Sequence, residues 1–143
     1  MPDSLPGLRR WDVHDFDAPF ASGSNAPDAV LLVPCSMSRL AEVAHGTGKD
    51  LLSRSCDVAL KERRRLILMV RESPLSLVHL RNMVSATEAG AIVLPASPSF
   101  YAGIRNLDQA LDSVLMRALD LVGLPMPLVD RWVGSKDSRE EGS

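Results

Sequence analysis

The sequence predicts an α/β domain, three layers deep, built on a parallel sheet with helices on both faces. Three observations predict it. The apolar runs AVLLVPCSM (Ala29 to Met37), RLILMVRESPL (Arg65 to Leu75) and AIVLPASPSFY (Ala91 to Tyr101) are too short to span a membrane and too continuous for strands with one wet face. Helical periodicity fills the gaps between them at the spacing of βαβ units, whose right-handed crossovers put helices on both sides of a sheet. Each run also closes on residues suited to holding an anion. In an open parallel sheet ligands sit outside the carboxyl ends of the strands. The segments Pro34-Cys35-Ser36-Met37, Arg71-Glu72-Ser73-Pro74 and Ser97-Pro98-Ser99-Phe100-Tyr101 are therefore expected to converge on one site. Hydroxyls, an arginine and a carboxylate gathered there suit a phosphate-bearing ligand and some proton chemistry.

Along the chain, residues 1–21 carry Pro2, Pro6, Gly7 and Pro19 without periodicity and read as an irregular arm. Ser22 to Pro27 is a loop by composition, and the first strand starts at Ala29. After Pro34 the period changes. Leu40, Val43 and Ala44 share a helical face, with Ser36 or Ser38 placed to cap it and Gly46 to end it. A second helix, roughly Lys49 to Arg64, sets Leu52, Cys56, Ala59 and Leu60 on one stripe. Pro74 stops the second strand. A third helix follows on Leu77, Leu80, Met83 and Val84, ending at Ala89-Gly90. After the third strand, Asn106 caps a last helix whose apolar positions Leu107, Ala110, Leu111, Val114, Leu115, Ala118 and Leu119 repeat at helical spacing until Gly123. The α/β domain thus spans residues 22–134, and the tail 135–143, with no apolar residue, is expected to be disordered.

A chain of 143 residues with 45% hydrophobic content is one domain able to bury a core. The formal net charge of −2 argues against nonspecific nucleic-acid binding, although Lys61-Glu62-Arg63-Arg64-Arg65 makes a local basic spot. Cys35 and Cys56 form no spaced framework and read as reduced thiols. With no apolar stretch of signal-peptide or membrane-spanning length, a soluble cytoplasmic protein is expected. His14, His45 and His79 are scattered and neither cysteine belongs to a CxxC, so no metal is expected. GxGxxG, GxxxxGK[ST] and GxSxG are all absent, which leaves dinucleotide-fingerprint, P-loop and hydrolase-elbow chemistry without support.

Each candidate residue also has a plainer reading. Ser36 and Ser38 open a helix, where free N–H groups favour an anion, or they are merely caps. Arg71 and Glu72 end an apolar strand. They either pair with each other at a surface or offer a bidentate donor and a proton-exchanging carboxyl. Arg54 and Lys61, seven positions apart, lie on nearly one helix face and by themselves read as solvated charges. Tyr101 either packs or folds its hydroxyl over a ligand.

Four segments in order, SGSNAPDAVLLVPCSM, LLSRSCDVALKERR, LILMVRESPLSLVHLRNM and LPASPSFY, closely resemble the UbiX-like flavin prenyltransferases, long also called aromatic acid decarboxylases. The resemblance runs from about Ser22 to Trp132. It implies a flavodoxin-like or Rossmann-like domain that joins a dimethylallyl unit from dimethylallyl phosphate to reduced FMN, commonly as a homo-oligomer. It also implies a partner decarboxylase that receives the prenylated FMN, in bacteria often within ubiquinone biosynthesis. By the same resemblance Ser36, Met37, Ser38, Arg39 and Arg71 belong to the flavin site, and Arg54, Lys61, Tyr101 and Arg117 to the donor phosphate. Glu72 would be the carboxylate that moves a proton, Lys61 would serve catalysis as well as binding, and Trp132 would close over the prenyl chain. No metal is implied. Relatives begin with a strand, a GxSGA-type turn that cradles the FMN phosphate, and a second βα unit. Nothing before Ser22 resembles these, so the fold is expected to be N-terminally truncated, and a noncatalytic flavin- or phosphate-binding accessory subunit stands as the alternative.

Overall fold

The computed structural model describes residues 7–100 and 104–130. Strand β1 (Ala29–Cys35) leads into helices α1 (Met37–His45) and α2 (Leu51–Lys61). Strand β2 (Arg65–Val70), helix α3 (Leu77–Glu88), strand β3 (Ile92–Pro95) and helix α4 (Leu107–Val122) follow. The three strands pair in parallel in the order β1-β2-β3, with Leu31 beside Ile67 and Leu68 beside Val93. The parallel sheet and its crossover helices are those the sequence predicts.

The core lies between the sheet and the α1–α3 layer. Alternation along β2 sends Leu66, Leu68 and Val70 into it, against Leu40 and Val43 of α1, Cys56 and Ala59 of α2 and Ala86 of α3. The buried Ile67 and Met69 alternate with these and so face α4 on the opposite side. Caps set the helix limits: Ser36, Asp50, Ser76 and Asn106 each accept the N3 amide, and Gly46 and Gly123 take left-handed conformations after α1 and α4. His79 completes a capping box with Ser76.

Helix limits and buried faces differ from the sequence reading. α2 starts at Leu51 because Asp50 caps it, and stops at Lys61 because Arg63 takes a φ of 56°. Its buried face holds Leu51, Ser53, Ser55, Cys56, Val58 and Ala59, while Leu52 turns outward. The two serines are tolerated there because their hydroxyls are bonded, Ser55 to the Leu52 carbonyl at 2.7 Å. α3 buries Asn82 and Ala86 against its neighbours and leaves Leu77, Leu80 and Val84 exposed. Asn82 lies 3.0 Å from His45 of α1, and a small or bonded residue at that contact lets the two helices approach closely. α4 likewise buries Ala110, Ser113 and Ala118 rather than its leucines.

Residues 7–18 precede two short 3-10 turns (Pro19–Ala21 and Gly23–Asn25) and lie near α2. The Leu51 amide donates to the Val13 carbonyl at 2.8 Å, and Trp11 meets Phe20 edge-on. The expected tail 135–143 lies outside the described residues. Among the described residues no helix is long and apolar enough to cross a membrane.

Candidate functional site

Two of the three strand ends converge. A cleft of about 430 Å³ opens where β1 and β2 finish, lined by Pro34, Cys35, Ser36, Arg39, Arg71 and Glu72 with the exposed Leu52 at its side. Ser36 stands at the N-terminus of α1, where its Oγ accepts the Arg39 amide at 3.2 Å and keeps its own hydrogen for donation. Met37 is buried behind it and Ser38 faces solvent. Arg71 and Glu72 are both exposed and form no pair with each other. The Glu72 carboxylate accepts the Ser73 amide at 3.2 Å, and Arg71 has no ion-pair partner among the described residues. The pairing that would have made them an inert surface couple is therefore not formed.

Arg39 is more engaged than the sequence implied. Its guanidinium donates to Glu42 at 2.6 Å and to Ser53 Oγ at 2.7 Å, and it lies 2.8 Å from Asp50. Ser53 also donates to Glu42, closing a ring that locks α1 to the start of α2. Gly48 passes so close to the Ser53 side chain that a Cβ there would collide with it. Burial pushes the Asp50 carboxyl up, but the Ser53 amide and hydroxyl and the Arg39 guanidinium outweigh it and hold it below its ordinary 3.8. For Arg39, burial opposes the charge, and Asp50 with Glu42 more than restores it. With two carboxylates on one guanidinium, this edge of the cleft carries no surplus positive charge.

Arg54 and Lys61 stand apart from Arg71 and Glu72, contrary to the expectation of one shared rim. Leu52 near the start of α2 lines the cleft, Lys61 lies nine residues further along the helix, about 14 Å by helical rise, and Arg54 lines a different cavity with Glu42, Gly48 and Asp57. Arg54 sits two residues from Leu52, roughly 200° around the helix. Both cations face the 3-10 turns instead. Arg54 Nε donates to the Ala21 carbonyl at 2.9 Å and its Nη1 pairs with Asp57 at 2.8 Å. Lys61 pairs with Glu62 directly against Gly23, where a Cβ would strike both side chains. The Lys61 ammonium holds the Glu62 carboxyl below its ordinary value. Ser22 and Ser24 flank that glycine with hydroxyls 3.0 Å apart. A second polar cluster thus forms from Arg54, Lys61 and the Ser22-Gly23-Ser24 turn. The composition of that loop was its only sequence signal.

The third strand end does not join the cleft among the described residues. The Ser99 amide donates to Ser113 Oγ of α4 at 3.2 Å, which turns the segment toward α4. Arg117 is exposed on α4, on the other side of the sheet. Tyr101 and Trp132 lie outside the described residues. The Cys35 and Cys56 thiols are free and buried. Burial pushes Cys35 up to about 11, against the pull of Arg39, and pushes Cys56 up to about 12, with Cys35 adding to the rise.

The Flavoprotein family profile matches residues 8–118. Among curated relatives, the flavin prenyltransferase UbiX of Methanocaldococcus jannaschii is 48% identical over 122 residues, 85% of this chain and 66% of the relative. The flavin prenyltransferase UbiX of Thermoplasma acidophilum is 46% identical over 122 residues, covering 85% of this chain and 68% of the relative. The chain therefore spans about two thirds of these relatives' length. A crystal structure of AnUbiX (PadA1) with FMN and dimethylallyl pyrophosphate superposes with a TM-score of 0.82 at 45% identity, covering 87% of this chain and 66% of that one. A dodecameric FMN-dependent Ubix-like decarboxylase from Escherichia coli O157:H7 superposes with a TM-score of 0.81 at 39% identity, over 85% and 66% of the two chains.

Proposed function

The chain belongs to the UbiX-like flavin prenyltransferases of the Flavoprotein family, and from that membership we propose that it joins a dimethylallyl group from dimethylallyl phosphate to reduced FMN. The observation that carries the reading is the cleft at the ends of β1 and β2, where Ser36, Arg71 and Glu72 meet beside the N-terminus of α1. A flavin fits the chemistry of this cleft. Cys35, Leu52 and Pro34 give an apolar wall for a ring, Ser36 offers a hydroxyl donor, and Arg71 brings a guanidinium with no ion-pair partner among the described residues.

Bound in reduced form, FMN would supply the nucleophilic ring that accepts the prenyl carbon. Ser36 and the free amides of α1 orient polar ring edges, and the buried Met37 fixes the helix start that aims them. Arg71 donates two parallel N–H groups toward developing negative charge, and the Glu72 carboxyl takes or returns a proton at its exposed oxygen. Arg54 and Lys61 hold the donor phosphate, and they act most strongly as charge grows on the departing oxygen. Tyr101, Arg117 and Trp132 are assigned to the same donor. Because Arg54 and Lys61 lie away from Glu72 within one chain, we assign the complete site to the junction of two copies. The dodecameric state of the E. coli relative supports that assignment. The prenylated FMN then passes to a partner decarboxylase, in the cytoplasm, in ubiquinone biosynthesis or aromatic acid decarboxylation.

The test is anaerobic turnover of reduced FMN and dimethylallyl phosphate by the purified protein, read as phosphate release and as prenylated flavin by mass. Glu72→Gln should slow product formation and leave donor binding nearly unchanged, whereas Arg54→Ala should weaken donor binding. Equal loss of binding in both variants contradicts the assigned roles. A second reading, a noncatalytic flavin-binding accessory subunit, is favoured by the engagement of Lys61 with Glu62. Flavin binding without phosphate release would select it. Carbon dioxide release from an aromatic acid by the pure protein would instead indicate direct decarboxylation.

A further inference from the structure

The cleft at the ends of β1 and β2 takes its walls from two separate helices. Pro34, Cys35 and Ser36 lead into α1, whereas Leu52 stands in the first turn of α2. The turn that joins the helices, residues 46–50, contains Gly46 and Gly48, so its backbone alone does little to fix one wall against the other. One residue touches both. The Arg39 amide donates to Ser36 Oγ at 3.2 Å, and its guanidinium reaches Asp50 at 2.8 Å and Ser53 Oγ at 2.7 Å. Asp50 and Ser53 flank Leu52 in the sequence, so the turn that presents Leu52 is held from both sides.

Burial on α2 is inverted at this point. Ser53 is only 6% exposed and Leu52 is 42% exposed, although the hydrophobic effect alone favours the reverse. The serine is tolerated inside because Arg39 donates to its hydroxyl and Glu42 accepts from it. Gly48 lies so close to the same side chain that a Cβ there would displace it. The guanidinium is matched by two carboxylates, Glu42 and Asp50, and so offers a flavin no net positive charge of its own.

We propose, resting on the flavin reading of this cleft, that Arg39 is a positioning residue for FMN: bonded by its backbone to Ser36 and by its guanidinium to the neighbours of Leu52, it holds the apolar wall of α2 at a fixed spacing from the hydroxyl donor of α1. The contact with the flavin ring is made by Leu52, and Arg39 acts through it. A cleft set in this way before the ring arrives binds without the added cost of ordering its walls.

The experiment titrates the purified full chain with oxidised FMN and follows the quenching of flavin fluorescence and the visible absorption of the bound ring. Arg39→Met and Leu52→Ala should each weaken binding about tenfold, and the double variant should be no more than about threefold weaker than either, because both changes remove the same wall. Additive losses, about a hundredfold in the double variant, overturn the proposal, since Arg39 would then act independently of Leu52. Arg39→Lys keeps the charge without the planar fork and should stay at least about threefold weaker than wild type. Its full recovery would make Arg39 a plain cation of the site and overturn the proposal as well. His45→Ala separates positioning from stability. It breaks the 3.0 Å bond to Asn82 at the other end of α1 and should lower the unfolding temperature with FMN affinity unchanged. A loss of affinity there equal to that of Arg39→Met would reduce the effect to general destabilisation and overturn the positioning role. If Arg39→Met does not fold, Asp50→Asn takes its place in the same cycle, because it keeps a capping oxygen and loses the charge pair. Absence of FMN binding by the wild-type protein contradicts the flavin reading and the proposal with it, whereas unchanged affinity in Arg39→Met beside a binding wild type contradicts the positioning role alone.

Discussion

Asp50 Oδ2 lies 2.8 Å from the Arg39 guanidinium, so a single carboxylate both caps α2 and ties it to the first turn of α1. Asp50→Ala removes the cap and the ion pair together and is expected to cost about 1–3 kcal/mol of unfolding free energy in urea denaturation. Asp50→Asn keeps a capping oxygen and should recover part of that loss. The pH dependence follows from the lowered carboxyl value. Such a group contributes stability that is present above its unfolded value of 3.8 and is lost as pH falls through the folded value. Wild type should therefore lose more stability than Asp50→Asn on acidification below that point. Parallel acid curves for the two proteins would count against the pairing.

The two thiols should be inert in the native protein. Cys35, raised to about 11, and Cys56, raised to about 12, hold almost no thiolate at neutral pH and are buried. Iodoacetamide is expected to leave both unlabelled until denaturant is added. Because folding raises these values above 9.0, their contribution is complete below that pH and declines as pH climbs past it. Rapid native labelling of either residue would contradict the burial described.

Gly23 separates a donor-binding role of the Lys61 cluster from a merely structural one. A methyl group at Gly23 meets only the ends of the flexible Lys61 and Glu62 side chains, so Gly23→Ala should change stability by no more than about 0.5 kcal/mol. It must still move the ammonium. Titration calorimetry with dimethylallyl phosphate should show weaker binding in Gly23→Ala at unchanged thermal stability. Unchanged affinity would remove Lys61 from the donor site.

The fold was legible where local rules act alone. The apolar runs marked the three strands, and Asn106, Gly46 and Gly123, with Ser36 as one of two serines offered, marked helix ends through cap chemistry that involves only neighbouring residues. Buried faces were less legible. Leu77, Leu111 and Leu115 have helical spacing but stay exposed, because close packing selected Ala86, Ala110 and Ala118 for the contacts. At the site, strand order foretold the meeting of Ser36 with Arg71 and Glu72. The Arg39 ring with Glu42, Asp50 and Ser53 could not be foreseen, since it needs the turn between α1 and α2 to fold back on itself. Nor could the separation of Lys61 from Glu72, which depends on the direction of α2 rather than on spacing.

The claim that two copies complete one site is open to a direct subunit-mixing measurement. Lys61→Ala and Glu72→Gln proteins, each expected to be impaired in prenyl transfer, would be unfolded together, refolded into mixed assemblies and assayed for phosphate release from dimethylallyl phosphate with reduced FMN. Recovery of roughly a quarter of wild-type turnover, the share of junctions with both groups intact in a random mixture, is the expected result. Mixed assemblies as inactive as either parent, beside an active wild type, would contradict it.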